Sequence, residues 1–156
     1  MTGLDPRHLR TLVIRPALQA IGLWSTAAED LVWGTAVQES GLRFLAQHGS
    51  GPAQGLWQME PRTARDIWNN HLKHNSEQAD RMWGLLAETP NMMRQLSTNL
   101  CYGAAMCRIH YYRVPTALPA VGEIEDYARY WKDHYNTALG KGTTKQFVEA
   151  YRGASQ

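Results

Sequence analysis

Over most of this chain apolar positions recur every three or four residues, the pattern of helices that bury one face rather than of alternating strands. The first such stretch opens at Asp5 as N-cap with Pro6 in the first turn, and carries Leu9, Leu12, Val13, Ala17, Leu18 and Ile21 before Gly22. Pro16 inside it predicts a kink or a break. A second helix has two candidate caps, Ser25 and Thr26, the latter offering a Thr-x-x-Glu box with Glu29; it carries Leu31, Val32, Thr35 and Ala36 and ends at Ser40 and Gly41. Helices resume with Pro61 as a first-turn proline, running to about His71, and again from Ser76 to about Ala87. Thr89 and Pro90 then cap the longest predicted helix, with Met93, Leu96, Leu100, Ala104, Cys107 and Tyr111 on one stripe. After Pro115 and Pro119 the pattern predicts helices over Glu123 to Asn136 and Thr144 to Tyr151, separated by the turn Gly140-Lys141-Gly142.

The period fails from Leu42 to Gln58. There His48-Gly49-Ser50-Gly51-Pro52 reads as a turn between two short extended arms, Leu42 to Gln47 and Gln54 to Gln58, hence a loop or a small irregular hairpin. The chain therefore reads as mainly α, six or seven helices around one core, and its 156 residues, with no internal repeat or linker, suit a single domain over 1–156. A net charge of +2 with scattered basic residues lacks the concentrated cationic face of a nucleic-acid binder, but leaves a mild attraction to an anionic polymer. No run approaches the roughly 18 apolar residues of a spanning helix, so membrane insertion is not expected. Cys101 and Cys107 fall in one predicted helix, where six residues rise about 9 Å, too far for a disulfide; buried thiols and a reducing compartment are the expectation. Met1 to Arg10 has no apolar signal core behind it, which predicts synthesis in the cytoplasm without a signal peptide.

Chemistry concentrates where a plain bundle would not place polarity. Glu39 sits in the last turn of an otherwise apolar helix, where the carbonyl end of the dipole disfavours negative charge and raises a carboxyl pKa. A glycine-rich crossing then leads to Gly55-Leu56-Trp57-Gln58. A carboxylic acid in partly apolar surroundings is what glycosidases use to protonate a leaving oxygen. The usual second carboxylate is not evident: no Asp or Glu lies between Glu39 and Glu60, and Glu60 reads as a cap for the helix at Pro61. A single acid acting on a substrate that assists itself fits this arrangement.

Four ordered motifs carry a resemblance. Glu39-Ser40-Gly41, Ser50-Gly51-Pro52-Ala53-Gln54-Gly55-Leu56-Trp57-Gln58-Met59-Glu60-Pro61 with Thr63-Ala64, Asn99-Leu100-x-x-Gly103, and Tyr135-Asn136 with Gly140 together resemble the soluble lytic transglycosylases, related to goose-type lysozyme. The resemblance implies a lysozyme-like fold and cleavage of the bond between N-acetylmuramic acid and N-acetylglucosamine in peptidoglycan strands. It makes Glu39 the general acid and then base, with a 1,6-anhydro product. It implies that Ser40 orients the acid, that Gly55, Leu56, Trp57 and Gln58 hold the N-acetyl group and sugar, and that Tyr135 and Asn136 line the opposite wall. No cofactor or metal is implied. The chain departs from the family at Trp57, where Met is usual, at Leu42 and Phe44, where an aromatic comes sooner, and at His134, where Ala precedes the Tyr-Asn pair.

The segment Tyr130-Trp131-Lys132 to Tyr135-Asn136-Thr137, with Gly140-Lys141-Gly142-Thr143, is similar to lysozyme-like proteins of tailed bacteriophages. That similarity implies a virion-associated protein acting in the periplasm or at the cell wall, with phage tail or virion proteins as partners. It also opens a second reading, a virion structural or adaptor protein that keeps the fold without activity. A third is a hydrolysing lysozyme with Glu60 or Asp66 as second carboxylate. The six tryptophans read mostly as core, and among them only Trp57 has a good claim to stacking on sugar. His71-x-x-His74 lacks a third ligand and reads as a solvated pair, and Met92 and Met93 as helix packing.

Overall fold

The computed structural model describes residues 3–156; Met1 and Thr2, the first two residues of the polar start, lie outside it. The fold is mainly helical, with eight helices and no β-strand among the described residues. Helix α1 begins as Pro6–His8, widens into a π-helical stretch Leu9–Ile14 and closes as Arg15–Ala20. Asp5 caps it by accepting from the amides of Arg7 and His8. Pro16 does not end it, because the wider π turns precede it and relieve the carbonyl its ring would otherwise strike.

Helix α2, Thr26–Ser40, is capped by Ser25, which accepts from the Ala28 amide, and stopped by Gly41 in the left-handed region at φ 57°. The Thr26 box is not made, since Glu29 turns instead to Arg15 and Trp24. Every residue from Ala28 to Val37 is buried, so α2 runs through the interior. Helices α3 (Pro61–Asn70) and α4 (Ser76–Trp83) follow, joined by a 3-10 turn, Leu72–His74.

The long helix expected from Thr89 to Tyr111 is two: α5, Met92–Thr98, and α6, Leu100–Tyr112. Asn99 separates them in an extended conformation. Its Oδ1 accepts from the Tyr102 amide at 3.0 Å while its Nδ2 donates to the Leu85 carbonyl at 2.8 Å. The Asn99 side chain thus takes the Tyr102 amide that a continuous helix would have paired with a backbone carbonyl, and the apolar stripe runs on undisturbed across the break. Helix α7 comprises Ile124–Trp131 and a π-helical end, Lys132–Asn136. Helix α8, Thr144–Ala154, starts with a complete capping box between Thr143 and Gln146.

No hairpin forms between Leu42 and Gln58. Pairing is limited to two isolated bridges, Ala46 with Gln54 and Gln54 with Met59, because the chain turns again at Gly55 before a ladder extends. Two buried clusters result. One joins α1, α2, α7 and α8 around Leu31, Val32, Trp33, Trp57, Tyr127, Trp131 and Phe147. The other gathers Met59, Ile67, Leu72, Met82, Leu96 and Ile109 from α3 to α6. Helix α6 feeds both and is buried from Tyr102 to Ile109. Its Cys107 is buried and Cys101 half-buried, both as free thiols. Among the described residues no helix is long and apolar enough to cross a membrane.

Candidate active site

Three helices each contribute a pair of residues four apart to one buried polar group: Thr35 and Glu39 from α2, Cys107 and Tyr111 from α6, Trp131 and Tyr135 from α7. At that spacing side chains lie one above the other on a helix face, so each pair aims at the same place. The Trp131 indole Nε1 donates to Glu39 Oε1 at 2.8 Å. Thr35 donates to the Leu31 carbonyl at 2.7 Å, which makes the Tyr111 hydroxyl, 2.8 Å from Thr35 Oγ1, the donor between the two. Tyr135 donates to the Trp57 carbonyl at 2.5 Å, and its ring lies 5.4 Å from that of Tyr111.

Glu39 is half-buried, and no cation pairs with it among the described residues. Burial pushes its carboxyl pKa up to about 7, although the Trp131 N–H, which favours the charged form, pulls the other way. The carbonyl end of α2 acts in the same direction as burial. Burial also raises the pKa of Cys107, Tyr111 and Tyr135 well above their ordinary ranges, and the Glu39 charge adds to each. The neighbours of the acid are therefore neutral donors, and Glu39 is the group among them that titrates near neutrality.

The turn expected to face the acid is held by its glycine and its tryptophan. Gly55 has φ +78°, and a Cβ there would stand 1.9 Å from the Leu96 carbonyl oxygen, so the turn docks directly on α5. Trp57 is 2 % exposed, donates from Nε1 to the Val32 carbonyl at 2.9 Å, and lies where a Cβ on Gly103 would come within 3.0 Å of its ring. Its ring is thus a core wedge between α2 and α6, and a sugar-stacking face is not presented; Leu56 is likewise core at 1 % exposure. Gln58, at φ 47°, closes the turn by donating from its side chain to the Gly55 carbonyl at 2.9 Å. Together with Tyr135, Asn136 and His110 it lines a polar groove of about 230 Å³, of which Glu39 is not a lining residue.

Ser40 does not orient the acid. Its hydroxyl donates to the Ala36 carbonyl at 2.9 Å and accepts from the Leu42 amide at 3.2 Å, closing the helix end on itself. The orienting donor is Trp131, a residue that the chain pattern assigns to the core. Asn136 holds the site's far edge: Lys132 Nζ donates to its Oδ1 at 2.7 Å and to the carbonyls of Gly140 and Gly142. A Cβ at Gly140 would sit 2.3 Å from that Oδ1, which accounts for the Tyr-Asn-x-x-x-Gly spacing in this chain.

His110 was not legible as a site residue. Its ring meets Tyr135 edge-on at 5.2 Å, its Nδ1 accepts from Arg113 at 3.2 Å, and burial, with the Arg113 charge, depresses its pKa to about 4. Of the two alternative carboxylates, Glu60 lines the same polar groove, paired with a cation, and Asp66 lies outside its lining. Glu60 occupies the N-cap of α3 without a capping bond and pairs with Arg62 at 2.7 Å. Asp66 pairs with Arg113 at 2.7 Å and accepts from Asn70. His71 Nε2 lies 2.6 Å from Gln78 Oε1, and no cluster of metal-ligating side chains occurs among the described residues. No family model, curated protein or solved structure matches this chain.

Proposed function

We propose that the chain is a peptidoglycan lytic transglycosylase in which Glu39 is the general acid and then the base. The observation that carries this reading is a lone carboxyl with its pKa raised to about 7, held by a neutral indole N–H and not by a cation. Protonated, it gives its proton to the oxygen bridging N-acetylmuramic acid and N-acetylglucosamine as the bond from C1 to that oxygen breaks. The acetamido oxygen of the same muramoyl unit closes on C1 and carries the charge, so no second carboxylate is required. The Glu39 carboxylate then takes the proton of the 6-hydroxyl, whose oxygen displaces the acetamido group at C1. The acid is regenerated and a 1,6-anhydro end is left. Gln58, Tyr135 and Asn136, which share the polar groove, are the residues we assign to holding the sugar. The setting we propose is a phage virion or lysis protein delivered to the host wall.

The test is to incubate purified protein with peptidoglycan and analyse the released muropeptides, beside Glu39→Gln. Anhydro ends that disappear in the variant are expected. Reducing ends would assign hydrolysis instead, and no release by folded wild-type protein would overturn the catalytic reading.

A further inference from the structure

The second buried cluster carries a surface that the acid does not use. Trp68 on α3 and Trp83 at the end of α4 lie with ring centroids 5.0 Å apart, tilted by 50°. Trp68 is fixed in place, since its Nε1 donates at 2.9 Å to the hydroxyl of Tyr102, itself fully buried. Trp83 is 55 % exposed, although a helix end could have buried a smaller residue or offered a polar one there. Beside the two rings runs a groove of about 460 Å³, within the roughly 300–1,000 Å³ of ligand clefts. Asn69, Arg65 and Lys73 supply its polar edge, and among the described residues no carboxylate lines it.

We propose that this groove is a second glycan-binding site, taking a stretch of the peptidoglycan sugar chain. Its indole faces stack on pyranose rings, and Asn69, Arg65 and Lys73 meet the hydroxyls, acetamido oxygens and carboxylates of the polymer. The proposal rests on the reading of this chain as a peptidoglycan-cleaving enzyme, which supplies the polymer. A pyranose presents a face of C–H bonds that complements the electron-rich face of indole. The Trp68 ring, already held by Tyr102, loses little freedom on binding. Two cations without a lining acid match an anionic strand. A lipid surface is the poorer match, because the site carries two basic residues where membrane-binding clusters use about 4–8. On a polymeric substrate a second site also keeps the enzyme on the strand between cleavages, by raising the effective concentration at the acid.

The test uses the full chain carrying Glu39→Gln, so that the wall is bound and not degraded, and measures co-sedimentation with purified sacculi. Adding Trp83→Ala should weaken the apparent Kd about tenfold, the loss of one stacking contact. Lys73→Glu should weaken it several-fold at low salt, with the deficit shrinking as salt is added. Thermal melts of each variant report whether the fold is retained. Sacculus binding that ignores both substitutions overturns the proposal, as does a Trp83-dependent binding to phosphatidylglycerol vesicles with no change on sacculi. Muropeptide release by the enzyme with Glu39 intact separates the two readings. If release is absent while Trp83→Ala still weakens binding, the catalytic assignment falls and the groove stands. If release is intact and binding ignores both substitutions, the groove falls and the catalytic assignment stands.

Discussion

The two ends of α2 hold carboxylates away from water by opposite means. At the N-terminal end Glu29 and Asp30 are buried, but Arg15 reaches Glu29 at 2.8 Å, Arg10 reaches both carboxylates, and Tyr127 donates to Asp30 at 3.0 Å. Burial alone would raise the Glu29 pKa; hydrogen bonds from Arg15 and Trp24 and the charges of Arg15 and Arg10 bring it below the ordinary value instead. At the C-terminal end Glu39 meets one neutral N–H and no cation among the described residues, and its pKa goes up. The helix dipole reinforces both states, favouring anions at the first end and disfavouring them at the second. Burial is common to the two ends. The difference lies in the partners, and it separates a structural ion-pair network from a group fit to carry a proton near neutral pH.

The largest effect expected at either end is that of Glu39→Gln on activity. Loss of a positioned general acid costs on the order of 10²–10⁴ in rate, read as released muropeptides. The same substitution should stabilise the fold at alkaline pH. A carboxyl whose folded pKa is about 7 against 4.5 in the unfolded chain binds more protons when folded, so stability is full below pH 4.5 and is lost as pH rises through 7. The loss amounts to at most about 3 kcal/mol, and urea titrations at pH 4.5 and 8 should show it in wild type and not in the variant. Glu29 has the reverse sign: its contribution is present above the unfolded carboxylate pKa and is lost as pH falls.

At the other end, Arg10→Met should cost about 3 kcal/mol at pH 7, because it leaves Asp30 buried with only Tyr127 and takes one of two cations from Glu29. Equilibrium urea unfolding measures it. A cost below about 1 kcal/mol would mean that burial at this end is not offset by pairing, and the contrast between the two ends would collapse.

Much of α2 was legible in the chain itself. The stop at Gly41 and the place of Glu39 in the last turn follow from local residue types, and the structure keeps them; between the two candidate caps, Ser25 and Thr26, the structure selects Ser25. The break at Asn99 was hidden, because the apolar stripe of α5 continues in phase into α6 while the bonds that end the first helix come from one side chain. Trp131 was hidden for a different reason. It lies 92 residues from the carboxyl it holds, and an indole in an apolar stripe looks the same whether its N–H meets a carbonyl or an acid. A signal was nonetheless present: Trp131 stands one turn before Tyr135, as Thr35 stands one turn before Glu39.

Trp131→Phe sharpens the comparison by removing the one donor at the C-terminal end. The N–H lowers the Glu39 pKa against burial, so its loss should raise that pKa further and move the alkaline limb of the pH–rate profile up by about one unit. Trp131 is fully buried and packs against Phe147 at 5.4 Å, so some stability is lost as well, but a structural defect alone would lower the rate without displacing the limb.

Ser40→Ala carries the smallest effect and separates two accounts of the same motif. If Ser40 oriented the acid, as the resemblance implies, its removal would shift the pH–rate profile as Trp131→Phe does. In the structure its hydroxyl is spent on the Ala36 carbonyl and the Leu42 amide. Removing it leaves the Leu42 amide short of that acceptor at a buried helix end, a cost of about 1 kcal/mol in urea unfolding. The alkaline limb should stay where it is in wild type. A limb displaced by half a unit or more would return Ser40 to the site and take from Trp131 its place as the donor that sets the acid.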